Sequence, residues 1–177
     1  MMMKFLCCAL APLCLFLSTV SAEEKNESDE MKVLNRFLGT WDHAITITPP
    51  GGADAIYNTV SKREWSLGKT YLRFEEVNMA EPAHDEFQML LTFDADKKRY
   101  TGVIMDGTNS STVSAEWDEA KAAMSFTAKH GNGNELRYTL HFTDENSAKG
   151  EGAFYDPEGN VIVGIRWKQT RREKGIE

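Results

Sequence analysis

The four histidines come first, because a neutral imidazole can serve as a general base or as a metal ligand near neutral pH. They are His43, His84, His130 and His141, and no two of them have the short spacing of paired metal ligands. Residues 84–86, His-Asp-Glu, form the one compact cluster, but neighbouring residues on a strand point to opposite faces of a sheet. We therefore interpret residues 84–86 as a surface loop and predict no metal site.

His43 is the histidine best suited to a site inside the protein. It shares strand parity with Trp41 and Ile47, so its side chain should point into the core with theirs. A buried polar side chain needs partners, and Arg63 and Arg73 lie on strands expected to be its neighbours. The simpler interpretation is a structural histidine with satisfied hydrogen bonds. For ligand contact or catalysis, the interior candidates are His43, Arg63 and Arg73.

The usual signatures of covalent and acid–base catalysis are missing from the sequence. No Gly-x-Ser-x-Gly motif and no glycine-rich phosphate loop occurs. Glu75 and Glu76 are adjacent, so strand geometry directs the two carboxylates apart. All three cysteines, Cys7, Cys8 and Cys14, lie in the N-terminal segment described next. The sequence therefore predicts no catalytic residue and no reaction class.

Residues 1–22 have the pattern of a cleavable signal peptide. Lys4 supplies the positive charge, an apolar stretch follows over residues 5–17, and Val-Ser-Ala ends at Ala22. The apolar stretch is shorter than the ~20 residues of a membrane-spanning helix, and no second one follows. We predict cleavage after Ala22, an extracytoplasmic protein that is periplasmic or secreted, no membrane contact after cleavage, and no cysteine in the mature chain.

The chain is acidic, with a formal net charge of −7 at pH 7. Nucleic-acid binding depends on basic side chains that neutralise phosphates, so this balance argues against such a partner. The basic run over residues 168–174 is interrupted by Gln169, Thr170 and Glu173. We interpret that run as a solvated last strand and tail.

A short helix should precede the sheet. Residues 23–30 are charged and predict a flexible lead-in, at whose end Ser28 or Asp29 can cap a helix. Apolar residues then recur at helical spacing: Met31, Leu34, Phe37 and Leu38. Gly39 is suited to end the helix.

From Trp41 onward the apolar period changes to two, with turn residues between the runs. The pattern predicts ten strands, approximately 41–48, 55–67, 69–78, 86–94, 99–106, 111–118, 121–129, 135–143, 148–155 and 161–170. A closed barrel removes the exposed edges of so many hairpin-linked strands. We therefore predict an all-β fold: a ten-stranded antiparallel up-and-down barrel, closed by the N-terminal helix, as one domain over residues 31–171 with a tail at 172–177.

Short motifs resemble known barrels. Gly39-Thr40-Trp41 after a short helix is similar to the Gly-x-Trp opening of calycins, the lipocalin-like superfamily. Four segments together resemble the exported bacterial proteins of domain-of-unknown-function family 1579: residues 37–41, 65–72, 93–100 and 155–160. The resemblance implies a lipocalin-like barrel and carries no established activity.

The calycin resemblance also implies a structural role for two residues. Trp41 would plug one end of the barrel, packed beneath Arg166 of the last strand, with Lys168 on the same face as the alternative cation. Nitrobindins, which are similar ten-stranded barrels, hold haem through a histidine near the C-terminus. This chain has no histidine after His141, so haem binding is disfavoured and we predict no cofactor.

Three functions are consistent with these features. We expect an exported barrel that binds a small, lipophilic molecule in its interior. The second interpretation is an enzyme that uses His43 with a carboxylate or arginine of the barrel. The third is a solidly packed structural or partner-binding barrel without a ligand. Convergent ionisable groups beside a cavity would favour the enzyme, whereas an apolar lining would favour the binding protein.

Overall fold

A computed structural model describes residues 28–78, 87–107 and 109–173 of the chain. The predicted signal peptide, His84 and the rest of the predicted loop at 84–86 lie outside these residues. The chain enters the fold through helix α1 (Asp29–Leu34), which a 3-10 turn extends over Asn35–Phe37. Ser28 caps α1 by accepting a hydrogen bond at Oγ from the amide of Met31 over 3.3 Å. No helix in the described ranges is long and apolar enough to span a bilayer.

Ten antiparallel strands follow the helix, as the sequence predicts. They are β1 (Gly39–Thr48), β2 (Ala55–Ser66), β3 (Tyr71–Asn78), β4 (Phe87–Asp94), β5 (Arg99–Asp106), β6 (Asn109–Asp118), β7 (Ala123–His130), β8 (Glu135–Phe142), β9 (Ser147–Tyr155) and β10 (Val161–Arg171). Three of the predicted strand ends differ from the observed ones because the backbone turns there. Leu67 and Lys69 have φ of 49° and 65°, and Ala122 has φ of 46°, so none of the three can continue a strand.

The strands form one closed barrel, which confirms the predicted architecture. Each strand pairs with its neighbours in the chain, and β10 closes the sheet by pairing with β1. In this closing pair Trp41 lies opposite Arg171, and His43 lies opposite Gln169. Closure leaves no unpaired strand edge in the described barrel.

The helical segment closes one end of the barrel. Leu34, Phe37 and Trp41 are at most 1% exposed, and the indole Nε1 of Trp41 donates to the carbonyl oxygen of Phe37 over 2.9 Å. The ring of Phe37 contacts Phe142 edge-on, with centroids 4.9 Å apart. Gly39 has φ of 107°, a conformation that lets the chain turn directly from the helical segment into β1. Tight packing at this end leaves the free interior space on the other side of Phe37.

Candidate functional site

A cavity of about 260 Å³ occupies the barrel interior next to Phe37. Its walls are mostly apolar and include Ile45, Ile47, Phe87, Met89, Ile104, Leu136, Leu140, Phe154 and Ile165. A dry apolar cavity of ~150 Å³ is large enough to bind benzene. The barrel therefore has room for a small organic molecule.

One wall of the cavity is polar and is built around Arg63, which is only 4% exposed. Its Nε donates to Ser61 Oγ over 3.2 Å. Its Nη2 donates to His43 Nε2 over 2.8 Å and to Gln169 Oε1 over 2.9 Å. These contacts join β1, β2 and β10, which are adjacent in the barrel. Alternation along each strand places all four side chains inside.

The contact with Arg63 fixes the tautomer of His43. A guanidinium can only donate, so Nε2 of the imidazole accepts and the ring proton lies on Nδ1. Nδ1 is 3.4 Å from Glu76 Oε2, an electrostatic contact rather than a well-formed hydrogen bond. The other oxygen of Glu76 accepts from Thr59 Oγ1 over 2.6 Å. The polar wall thus extends onto β3.

Burial and charge set the ionisation of this wall. Burial lowers the pKa of His43, and the charge of Arg63 lowers it further against the opposing effect of Glu76. Burial acts to raise the pKa of Glu76, but contact with His43, the Thr59 hydrogen bond and the charge of Arg63 together hold it below its ordinary value. Burial also lowers the pKa of Arg63 to about 10. At neutral pH His43 is therefore neutral, while Glu76 and Arg63 are charged.

The guanidinium of Arg63 also packs on aromatic rings at the closed end of the barrel. Its Cζ lies 5.1 Å from the ring centroid of Trp41 and 5.2 Å from that of Phe74. Arg171 contacts the same indole, with Cζ 4.6 Å from the centroid, and its Nη2 donates to the carbonyl oxygen of Arg36. Two cations thus contact Trp41, and Arg171 is the one from the last strand.

Arg166, beneath which the calycin resemblance placed Trp41, lies elsewhere. It points outward between the inward-facing Ile165 and Trp167, and its Nη2 bonds Asp54 Oδ2 at 2.7 Å on the surface. The expected plug role of Arg166 is therefore corrected to Arg171. The register explains the difference, since Arg171 shares strand parity with Ile165 and Arg166 does not.

Arg73 also lies outside the barrel and does not line the cavity. It forms ion pairs with Glu64 and Glu75 on the outer face. Its neighbours on β3, Leu72 and Phe74, are the residues that point into the core. The prediction that Arg73 is an interior candidate is thus wrong, whereas the structure brings the other two candidates, His43 and Arg63, into contact.

Three aromatic rings, of Phe126, Tyr138 and Trp167, form another part of the cavity lining, the aromatic wall. Tyr138 stacks on Phe126, with centroids 4.5 Å apart and planes at 9°, and its ring is 5.1 Å from that of Trp167. Gly152, on the inner face of β9, makes room for the backbone and Cβ of Tyr138. A Cβ at Gly152 would lie 2.4 Å from Tyr138 Cβ, and one at Gly150 would lie 3.4 Å from Trp167 Cε3.

Four members of the polar wall are not among the interior residues that the sequence predicts: Thr59, Ser61, Glu76 and Gln169. Gln169 shares parity with Trp167, so strand alternation could have placed it inside, whereas apolar residues on both parities of β3 leave Glu76 undecided. In the sequence Glu76 stands out only as one of two adjacent acidic residues. A polar side chain does not contribute to the apolar periodicity of its strand. Only its parity with apolar neighbours therefore indicates that it faces the core.

The remaining described histidines do not join this site. His130 contacts Ser111 Oγ through Nδ1 at 2.8 Å, near the opposite end of the barrel from Trp41. His141 lies on the outer face of β8. Within the described ranges, no three histidine, cysteine or acidic side chains converge as metal ligands.

Comparison with known proteins supports the fold and leaves the activity open. The model of the family DUF1579, described as proteins of unknown function, matches residues 26–171. No curated protein matches the chain significantly. Two solved structures are similar: the S-type phycobiliprotein lyase CPES from Guillardia theta and Rv2717c from M. tuberculosis. For the lyase the identity is 8%, the TM-score 0.63, and the match covers 82% of this chain and 93% of that one. For Rv2717c the identity is 9%, the TM-score 0.64, and the coverages are 82% and 99%.

Proposed function

The chain belongs to the DUF1579 family of proteins of unknown function, and we propose that it is a binding protein that holds a small, largely apolar molecule inside its barrel. The observation that carries this proposal is the cavity of about 260 Å³ with its mostly apolar lining. Ligand sites in proteins are typically concave and apolar, with a few polar groups that fix orientation. The polar wall around Arg63 supplies such groups.

The size of the cavity sets the affinity that apolar contact alone can provide. Each buried methylene contributes ~0.8 kcal/mol, so about eight of them contribute roughly 6 kcal/mol before the entropic cost of association. A micromolar complex requires about 8 kcal/mol. A ligand small enough for this cavity therefore needs polar contacts as well as apolar ones.

An enzyme is the second candidate, and one observation favours it. His43, Arg63 and Glu76 converge beside the cavity, as acid–base residues do in active sites. However, the free lone pair of the neutral imidazole accepts a hydrogen bond from Arg63. His43 can act as a base only if Arg63 first moves away, so the arrangement supports binding better than proton transfer. The cavity likewise argues against the third candidate, a solidly packed barrel.

Titration with naphthalene, a neutral fluorophore close in size to the ligand that the cavity admits, tests the proposal. Ile47 lines the cavity, whereas Ile56, on the adjacent strand, is 68% exposed on the outer face. We expect saturable binding to the wild-type protein, at least tenfold weaker binding to Ile47→Trp, which fills the cavity, and unchanged binding to Ile56→Trp. Native mass spectrometry of protein from its own host should show a bound molecule. Absence of both saturable binding and a co-purified molecule would refute the proposal.

We also propose that the protein acts outside the cytoplasm, because residues 1–22 have the pattern of a signal peptide. Cell fractionation and N-terminal sequencing test this directly. A mature N-terminus at residue 23 in the periplasm or the medium is the expected result, and full-length protein in the cytoplasm would contradict it.

A further inference from the structure

The inference begins with an unpaired nitrogen in the polar wall. Nη1 of Arg63 is buried and has no hydrogen-bond partner, although the other two nitrogens of the same guanidinium are fully used. A buried charged donor without an acceptor is costly, and proteins rarely leave one in place without a role for it. Arg63 also lines the cavity, so its missing acceptor can come from a ligand.

The planar geometry of the guanidinium gives the direction of this nitrogen. Nε and Nη2 lie on one edge and face Ser61, His43 and Gln169, which belong to the wall formed by β1, β2 and β10. Nη1 occupies the remaining corner, so one of its N–H bonds points away from the edge that Nε and Nη2 share. Because Arg63 lines the cavity, an acceptor for this N–H can come from the barrel interior. Nη1 has almost no accessible surface, so a ligand oxygen reaches it only with a small shift of the Arg63 side chain.

The charge balance of this end of the interior favours an anion. Arg63 and Arg171 both contact Trp41 and are positively charged. Among the described groups that line the cavity or contact this indole, Glu76 is the one carboxylate, and His43 is neutral. Within the cavity lining the charges of Arg63 and Glu76 balance, but the two groups form no direct ion pair. Arg171, which is half-buried and lies outside the lining, adds a positive charge at the same indole, so a ligand with a single negative charge is favoured beside Arg63.

We propose that the cavity binds a monoanionic amphiphile whose carboxylate accepts hydrogen bonds from Nη1 of Arg63, while its short apolar chain packs along Tyr138 and Trp167. This inference rests on the proposed function and names the ligand class of the same cavity. A carboxylate suits this position because a guanidinium presents fixed donors that match its geometry. The aromatic wall supplies a flat apolar surface for the chain.

A head-group series on the wild-type protein gives the first test. Octanoate, octan-1-ol and octylamine share one chain length and differ in charge, so calorimetric titration at neutral pH compares the head groups directly. We expect octanoate to bind at least about tenfold more tightly than octan-1-ol, and octylamine to bind most weakly. Equal affinities for octanoate and octan-1-ol would overturn the head-group inference.

Variants at two arginines give the second test. Arg63→Gln should abolish the preference for octanoate, and Arg63→Lys should restore part of it because the charge is kept. Arg73→Gln is the matched control, since Arg73 lies on the neighbouring strand but faces outward. An unchanged octanoate preference in Arg63→Gln would refute the role of Arg63. If that variant does not fold, NMR of the arginine side chain in the wild-type protein decides: octanoate must shift the Arg63 signals more than octan-1-ol does.

The two proposals fail in different ways. If naphthalene and octan-1-ol bind but octanoate has no advantage, the barrel is a binding protein and the anion inference is wrong. If neither the fluorophore nor any member of the series binds, the proposed function itself is wrong, and this inference falls with it.

Discussion

Nη2 of Arg63 donates to Nε2 of His43 over 2.8 Å, and this single contact determines the chemistry of the imidazole. It holds the proton on Nδ1, occupies the lone pair on Nε2, and places a positive charge beside the ring. His43 is therefore a fixed, neutral acceptor for Arg63. The contact also couples the stability of the barrel to pH.

Stability should fall on mild acidification because of His43. The ordinary pKa of histidine is 6.5, and burial and Arg63 lower it in the folded protein. Below pH 6.5 His43 binds a proton in the unfolded chain but not in the folded protein. The unfolding free energy therefore decreases by at most about 1.4 kcal/mol for each pH unit of acidification. In His43→Gln, where the amide oxygen can still accept from Arg63, this part of the pH dependence should disappear. Urea unfolding between pH 7 and pH 5 measures it.

A second histidine serves as the control for this measurement. His141 lies on the outer face and contacts neither Arg63 nor Glu76, so His141→Gln should keep the wild-type profile. Glu76 causes a further loss of stability at lower pH. Its pKa is lowered in the folded protein, so the stability that it contributes is present above its ordinary pKa of 4.5 and is lost as the pH falls below that value. Identical pH profiles for wild type and His43→Gln would contradict the assignment.

Neutralising Glu76 should destabilise the protein far more than neutralising Glu75. Glu76 faces inward and offsets the buried charge of Arg63, whereas Glu75 forms a partly exposed ion pair with Arg73. We expect Glu76→Gln to cost about 1 to 3 kcal/mol and Glu75→Gln less than about 1 kcal/mol. Chemical denaturation of both variants at neutral pH compares them, and equal losses would argue against the inward role of Glu76.

The two arginines of β10 should behave differently on truncation. Arg171→Ala removes a cation from the indole of Trp41 and a hydrogen bond to the carbonyl of Arg36, so a loss of about 1 to 3 kcal/mol is expected. Arg166→Ala removes an exposed ion pair with Asp54, worth at most about 1 kcal/mol. Thermal unfolding of the two variants ranks them. A larger loss for Arg166→Ala would restore the role that the calycin resemblance gave it.

The glycine at position 152 should not tolerate even one methyl group. A Cβ there would lie 2.2 Å from the carbonyl oxygen of Arg137 and 2.4 Å from Tyr138 Cβ, so Gly152→Ala should destabilise by about 1 to 3 kcal/mol or more. Gly131 has no atom within 4 Å of the same position, and Gly131→Ala should be neutral or slightly stabilising. Calorimetric melting temperatures report both, and a tolerated Gly152→Ala would show that β8 and β9 can move apart.

Strand alternation alone predicts the barrel and part of its polar wall. His43 could be placed inside because Trp41 and Ile47 share its parity, and the structure has all three facing inward. Arg73 could not be placed, because apolar residues occur on both parities of β3. Val77 shares the parity of Arg73, while Leu72 shares that of Glu76. Only the observed packing shows which of the two sets forms the core.

The misplacement of Arg166 has another cause. The apolar alternation of β10 predicts that Arg166 faces away from Ile165 and Trp167, whereas the calycin resemblance implies a contact with Trp41. The cavity itself could not be predicted from sequence at all. Its volume depends on how Phe37 and the rings of the aromatic wall fill the space, which is a matter of three-dimensional packing.

The pairing of β1 with β10 determines when binding can arise during folding. Every other strand pairing in the described barrel joins strands that are consecutive in the chain and can form as local hairpins. The closing pair alone must overcome the loop entropy of nearly the whole domain. Gln169 and Arg171 reach Arg63 and Trp41 only at that step. A half-folded chain therefore has no complete polar wall, and a ligand held there stabilises only the closed barrel, so ligand occupancy reports that folding is finished.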